Sequence, residues 1–187
     1  MINKILIAIL IVVVAVTGYI VYFESNNSQR IVYNKSTCVA DECLTVGELN
    51  YPVSELGDNQ QRALEKAIDD EYKAYASYDA VLKKFGNVRP FIMIIRSEEQ
   101  HISSLKALFD KYGLQIPNNN YTGNMVAPST VTEACKLGVN AEIANANLYQ
   151  DTLLPEVNKF DDIKSVFTTL MNVSKYRHLQ AFQRCAN

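Results

Sequence analysis

The chain has 187 residues and a net charge of −2 at pH 7, with acidic and basic residues mixed along its length. That length leaves room for one domain of about 130 to 150 residues with a real core, plus an extension. No basic block and no basic–aromatic platform is present, which excludes a nucleic-acid surface. Seven glycines and five prolines fall mostly between amphipathic stretches, and this favours an all-α protein.

The nineteen residues Ile5–Phe23 carry no charge and follow Lys4. As a helix they span roughly 28 Å, about the thickness of a hydrocarbon core. The end of the run is aromatic, with Tyr19, Tyr22 and Phe23, as suits a membrane interface. The rival is a cleaved signal peptide, for which Ala15-Val-Thr-Gly18 is a poor cleavage site. Residues 1–24 are therefore expected to be a single-pass membrane anchor, with the rest outside the cytoplasm; cleavage would make the protein secreted. Residues 25–55, polar and irregular, read as an extracytoplasmic tether. An even number of cysteines behind an export segment, Cys38, Cys43, Cys135 and Cys185, invites disulfides. Cys38 and Cys43 lie close enough in the tether to close a small loop with each other.

Residues 56–187 read as four helices. The first, Asp58 to about Phe85 with Asp58 as its cap, has an apolar stripe of Leu64, Ala67, Ile68, Ala74, Tyr75, Tyr78, Val81, Leu82 and Phe85, interrupted by Glu71, and Gly86-Asn87 breaks it. The second, about Pro90 to Tyr112, has apolar residues Phe91, Ile94, Ile95, Ile102, Leu105, Leu108 and Phe109 at helical spacing. Glu98 and His101 fall inside that stripe, on one face. Leu114 to Ser129 is rich in Pro, Asn and Gly and too long for a tight turn; it can travel the length of a bundle, so a long crossover between helices 2 and 3 is expected. The third helix, about Thr130 to Leu153 or Leu154, is capped by Ser129 or Thr130 and ends near Pro155. Its seam is Val131, Cys135, Gly138, Glu142, Asn145, Tyr149 and Thr152. The fourth, about Asp161 to Arg184, has the seam Ile163, Phe167, Leu170, Ser174, His178, Ala181 and Cys185.

In an antiparallel hairpin, residues equidistant from the turn lie level. Glu71 and the Glu98/His101 pair are centred near residue 85; Glu142 and His178 are centred on Phe160. If the two hairpins dock in register, Glu71, Glu98, His101, Glu142 and His178 meet in one layer. Burying them without partners is costly, and mixed carboxylate–imidazole ligation suits Fe, Mn or Zn. The competing arrangement is a metal-free layer of buried ion pairs, in which two imidazoles neutralise three carboxylates only if pKa values are raised. Asn145, Ser174, Tyr75 and Tyr149 are expected around the five, as hydrogen-bonding or packing neighbours. Cys135 lies seven residues before Glu142 and Cys185 seven after His178, so both move toward the same end of their hairpin, where a Cys135–Cys185 disulfide would staple it; the alternative is two buried thiols in contact.

Glu98-x-x-His101 with Glu71 and Glu142 resembles the ferritin-like superfamily, including the rubrerythrin-type di-iron bundles. More narrowly, residues 55–184 resemble the ferritin-like domain of unknown function 2202, through Glu71-Tyr-Lys-Ala-Tyr75, Ser97-Glu-Glu-Gln-His101, Lys111-Tyr-Gly-Leu114 with Pro117 following, Ala141-Glu-Ile143 and Arg177-His-Leu-Gln-Ala-Phe182. The resemblance implies a ferritin-like four-helix bundle and a metal site, not a reaction. The di-iron pattern asks for a second Glu-x-x-His; here Lys175 stands three before His178 and Ser174 four before. With the fourth carboxylate missing, a mononuclear or weakened site is expected as readily as a dinuclear one. The expected function is a non-haem metal oxidoreductase acting on ferrous iron, oxygen or peroxide. No Cys-x-x-Cys pair is present to supply electrons, so an electron donor must come from elsewhere, and a homodimer is compatible with the reading. The alternative is a non-enzymatic, surface-tethered bundle that binds a partner or only metal.

Overall fold

The computed structural model describes residues 54–187. The anchor over 1–24, all but the end of the 25–55 tether, and Cys38 and Cys43 lie outside the described residues.

Helix α1 runs Asp58–Phe85 and α2 runs Phe91–Lys111. Helix α3 consists of three consecutive segments, Val131–Asn147, a wide π turn Leu148–Leu153, and Leu154–Glu156. Helix α4 has the same design: Asp161–Val173, a π turn Ser174–His178, and Leu179–Ala186. Among the described residues the fold is an all-α four-helix bundle of two hairpins, α1–α2 and α3–α4, joined by the long 112–130 connection.

Local chemistry accounts for the ends. Asp58 is the first helical residue of α1 rather than its cap; the chain enters through Gly57, whose N–H donates to Gln60 Oε1 at 3.1 Å. Asp58 instead places a negative charge at the positive end of the helix dipole. Gly86 takes a left-handed φ of 78°, open to glycine at little cost, and so ends α1. Thr130 caps α3 with a reciprocal pair: its Oγ1 accepts from Glu133 N at 3.1 Å, and Glu133 Oε2 accepts from Thr130 N at 3.2 Å. Helix α3 does not stop before Pro155. The proline falls in the first turn of the Leu154–Glu156 segment, where no N–H is required of it.

The connection lies along α1. Tyr121 Oη donates to Asp69 Oδ2 at 2.8 Å, and Lys84 Nζ donates to the Pro128 carbonyl at 2.6 Å. Asp69 and Lys84 are fifteen residues apart, about 22 Å of helix. The second hairpin therefore begins at the opposite end of the bundle, with α3 antiparallel to α1.

Two apolar clusters result. One holds Leu64, Ile68, Leu105, Leu108, Tyr149, Leu153, Phe167 and Leu170; the other holds Tyr78, Val81, Phe91, Ile94, Cys135 and Phe182. On every helix the charged seam residues lie between the two clusters, so the polar layer sits across the middle of the bundle. Cys135 and Cys185 are joined, with Cα atoms 5.7 Å apart.

The π turns change the register. Each inserts a residue into its turn, rotating the chain beyond it by about one position. On α3 the buried face therefore continues Asn145, Tyr149, Leu153, Val157, while Thr152, expected on the seam, is exposed. On α4 it runs Leu170, Ser174, His178, Phe182, and Ala181, expected on the seam, is half-buried beside it.

Candidate metal centre

Glu71, Glu98, His101, Glu142 and His178 are each at most 5% exposed, and they meet. His101 Nδ1 is 3.0 Å from Glu71 Oε2 and 3.1 Å from Glu98 Oε2. His178 Nδ1 is 3.2 Å from the other oxygen of the same carboxylate, Glu98 Oε1, and 3.5 Å from Glu142 Oε2. The two imidazoles stack, with ring centroids 5.6 Å apart and planes 24° from parallel. The layer is thus two triads, Glu71–Glu98–His101 and Glu98–Glu142–His178, and Glu98 gives one oxygen to each.

The outer oxygens of the flanking carboxylates are held by tyrosines from across the bundle. Tyr149 on α3 donates to Glu71 Oε1 at 2.9 Å, and Tyr78 on α1 donates to Glu142 Oε1 at 2.6 Å. The exchange is reciprocal, since each tyrosine lies seven residues after the glutamate on its own helix. Asn145 Nδ2 donates to Asp70 Oδ2 at 2.7 Å and to Glu71 Oε1 at 3.3 Å. Ser97 Oγ lies 3.3 Å from His101 Nε2. Asn145 and Tyr149 therefore stand beside the five, as their seam positions predict, and Ser174 is buried one turn before His178. Tyr75 does not reach the layer. Its hydroxyl donates to Glu99 Oε1 at 3.3 Å on the outer side of α1 and α2. Tyr78, three residues further along and turned inward, takes the role. Apolar spacing alone marks Tyr78 only as part of the stripe; the matching spacings Glu71…Tyr78 and Glu142…Tyr149 are the signal for its role.

The missing fourth carboxylate has a structural counterpart. Lys175 points away from the layer, its Nζ donating to Gln150 Oε1 at 3.2 Å. In the π turn the residue four before His178, rather than three, falls on the His178 face, and that residue is Ser174.

Burial raises the Glu71 carboxyl to about 7 against the opposing pull of His101. Burial would do the same to Glu98, but the two imidazoles flanking it prevail and hold it well below the ordinary range. Burial would lower both histidines, yet Glu71 and Glu98 raise His101 to about 10, and Glu98 and Glu142 raise His178 to about 9.

The donor set fits a cation. Bonds of about 2.0 to 2.2 Å to nitrogen and oxygen place neighbouring ligand atoms roughly 3 Å apart; in each triad the imidazole nitrogen stands 3.0 to 3.5 Å from its two carboxylates, and the three ligand atoms lie within 4.8 Å of one another. His178 Nδ1 stands at ion-pair distance from two carboxylate oxygens but has no hydrogen bond of good geometry to either, an arrangement that a shared cation would satisfy.

No family model matches the chain, and no curated protein matches it. Among solved structures, the crystal structure of a hypothetical protein from Methanococcus jannaschii DSM 2661 is similar, with a TM-score of 0.63 and 23% identity over 73% of this chain and 85% of that one. At that identity the likeness shows a shared fold, and with the geometry above it leaves an all-helical bundle whose buried Glu/His layer can hold a metal ion.

Proposed function

We propose that this protein is a membrane-anchored, extracytoplasmic member of the ferritin-like group. In this reading it binds one or two iron or manganese ions through Glu71, Glu98, His101, Glu142 and His178 and acts on ferrous iron, oxygen or peroxide. The observation that carries the metal reading is the pair of buried triads that share Glu98, in one of which His178 Nδ1 faces Glu98 and Glu142 without a hydrogen bond to either. A bound iron would supply the one-electron redox step. The chain's own residues do the rest. Tyr149 and Tyr78 fix the outer oxygens of Glu71 and Glu142, leaving the inner ones toward the histidines. The apolar clusters cover the layer from both ends of the bundle. The histidines give up their ring protons when a cation enters.

The deciding experiment is metal analysis of the full-length protein in detergent after exposure to ferrous iron, followed by ferrous oxidation in air. Bound iron with oxidation above background supports the reading, and no bound metal rejects it. Retention in the membrane fraction after alkaline carbonate extraction tests the anchor.

A second reading is a non-enzymatic tethered bundle with a degenerate site. One observation favours it: Glu71, raised to about 7, can stay protonated while His101 and His178 are cationic, so the layer can balance its charge without a metal.

A further inference from the structure

A cavity of about 110 Å³ opens between α1 and α3 and reaches Glu98 and Glu142. Apart from the buried Tyr78, its less polar walls are small, with Ala74 and Ser77 on α1 facing Ala141 and Ala144 on α3. Asp70 and Lys73 also line it; Lys73, Ala141 and Ala144 are exposed, whereas Glu98 and Glu142 are 2% exposed. The space thus joins solvent to the polar layer, and it is large enough for water or a partly hydrated ion. A second, wider groove at Tyr72, Glu99 and Lys106 touches none of the five.

Asn145 gives the cavity its chemistry. It is 7% exposed and lines the space, and its Nδ2 links Asp70 to Glu71. Its Oδ1 has no hydrogen-bond partner. A buried amide oxygen left over in this way is met by water or by a cation. Three carboxylates, Asp70, Glu98 and Glu142, line the path against a single lysine, so the path favours a cation over an anion or an apolar molecule.

We infer that this cavity is the port through which a divalent cation enters the Glu/His layer. Asp70 draws the hydrated ion in, Asn145 Oδ1 replaces one of its waters on the way, and Glu98 and Glu142 receive it. Lys73 at the rim opposes entry and sets its rate. The inference rests on the metal reading proposed above.

The test mixes metal-free full-length protein in detergent with Co²⁺ in a stopped-flow instrument. Loading is followed by quenching of tyrosine fluorescence, since Tyr78 and Tyr149 adjoin the layer, and final stoichiometry is measured by metal analysis. Asp70→Asn slows loading roughly tenfold at low salt, Lys73→Glu speeds it by a similar factor, and both effects shrink as salt rises. Ala144→Leu narrows the mouth and slows loading at every salt concentration, with the same final stoichiometry as wild type. If all three variants load at the wild-type rate while wild type binds Co²⁺, the port is overturned and the metal reading stands. If Asp70→Asn lowers the stoichiometry without changing the rate, Asp70 is a ligand or a prop and the port is again overturned. If wild type binds no Co²⁺, both fall.

Discussion

Glu98 takes part in both triads, so its substitution is expected to act differently from that of its neighbours. Glu98→Ala removes an oxygen from each triad and is expected to abolish metal uptake, whereas Glu142→Ala touches only the His178 triad and leaves the Glu71–His101 side able to bind. Metal analysis of the two variants checks this. Proton uptake gives a second handle. His101 and His178 are raised from 6.5 to about 10 and about 9, so the stability they lend is full below pH 6.5 and is lost as the pH climbs through those values. Glu71 is raised from 4.5 to about 7, so its contribution is present at acid pH and is lost between those limits. Glu98 is lowered, so it stabilises above pH 4.5 and ceases to do so as the pH falls toward its depressed value. The metal-free protein is therefore expected to be most heat-stable near about pH 5 and to weaken steadily toward pH 9. Metal binding must displace protons from the same residues, so its stabilising effect grows over that range. Calorimetry from pH 5 to 9, with chelator and with Co²⁺, separates the two slopes.

At the scale of the helix, α3 and α4 approach more closely than ordinary side chains permit. A Cβ placed on Gly138 would lie 2.6 Å from the Phe182 ring. Gly138→Ala is expected to destabilise the domain by about 1 to 3 kcal/mol through overpacking, measurable by chemical denaturation. The π turn Ser174–His178 has a different role: it carries the buried face from His178 on to Phe182 rather than Ala181. These turns also mark where sequence reading stops. Up to them, apolar spacing of three and four placed α1 and α2 correctly and put Glu71, Glu98 and His101 on one face. Beyond them the same spacing chose Thr152 and Ala181, while the structure buries Leu153 and Phe182. A π turn leaves no trace in hydrophobic periodicity except a shift in phase, and a shift of one residue looks like noise. Spacing does not separate Tyr75 from Tyr78 for a related reason: both lie on the stripe, and only the position of α3 decides which one meets a glutamate.

For the molecule as a whole, the antiparallel geometry was the legible part. Equal distances from two turns brought five polar residues from four helices to one level, and the same arithmetic paired Cys135 with Cys185. That disulfide joins residues 50 apart, and in the chain-entropy model such a crosslink is worth about 4 kcal/mol. Reduction, or Cys135→Ser with Cys185→Ser, is therefore expected to lower the melting temperature clearly while leaving the helical spectrum intact. A domain that relies on this crosslink matures best where thiols are oxidised, as the expected export would require.

The single carboxylate shared by the two triads has a thermodynamic consequence. An ion that settles on one side of Glu98 claims negative charge that the other side also needs, with Ser174 rather than a fourth carboxylate available to compensate. The two halves then cannot fill as independent equivalents. Their isotherm should show two unequal steps, the first ion tight and the second weaker, with the gap set by how much charge one glutamate can lend in two directions. The dinuclear state would then be one the protein enters only when its surroundings are rich in metal.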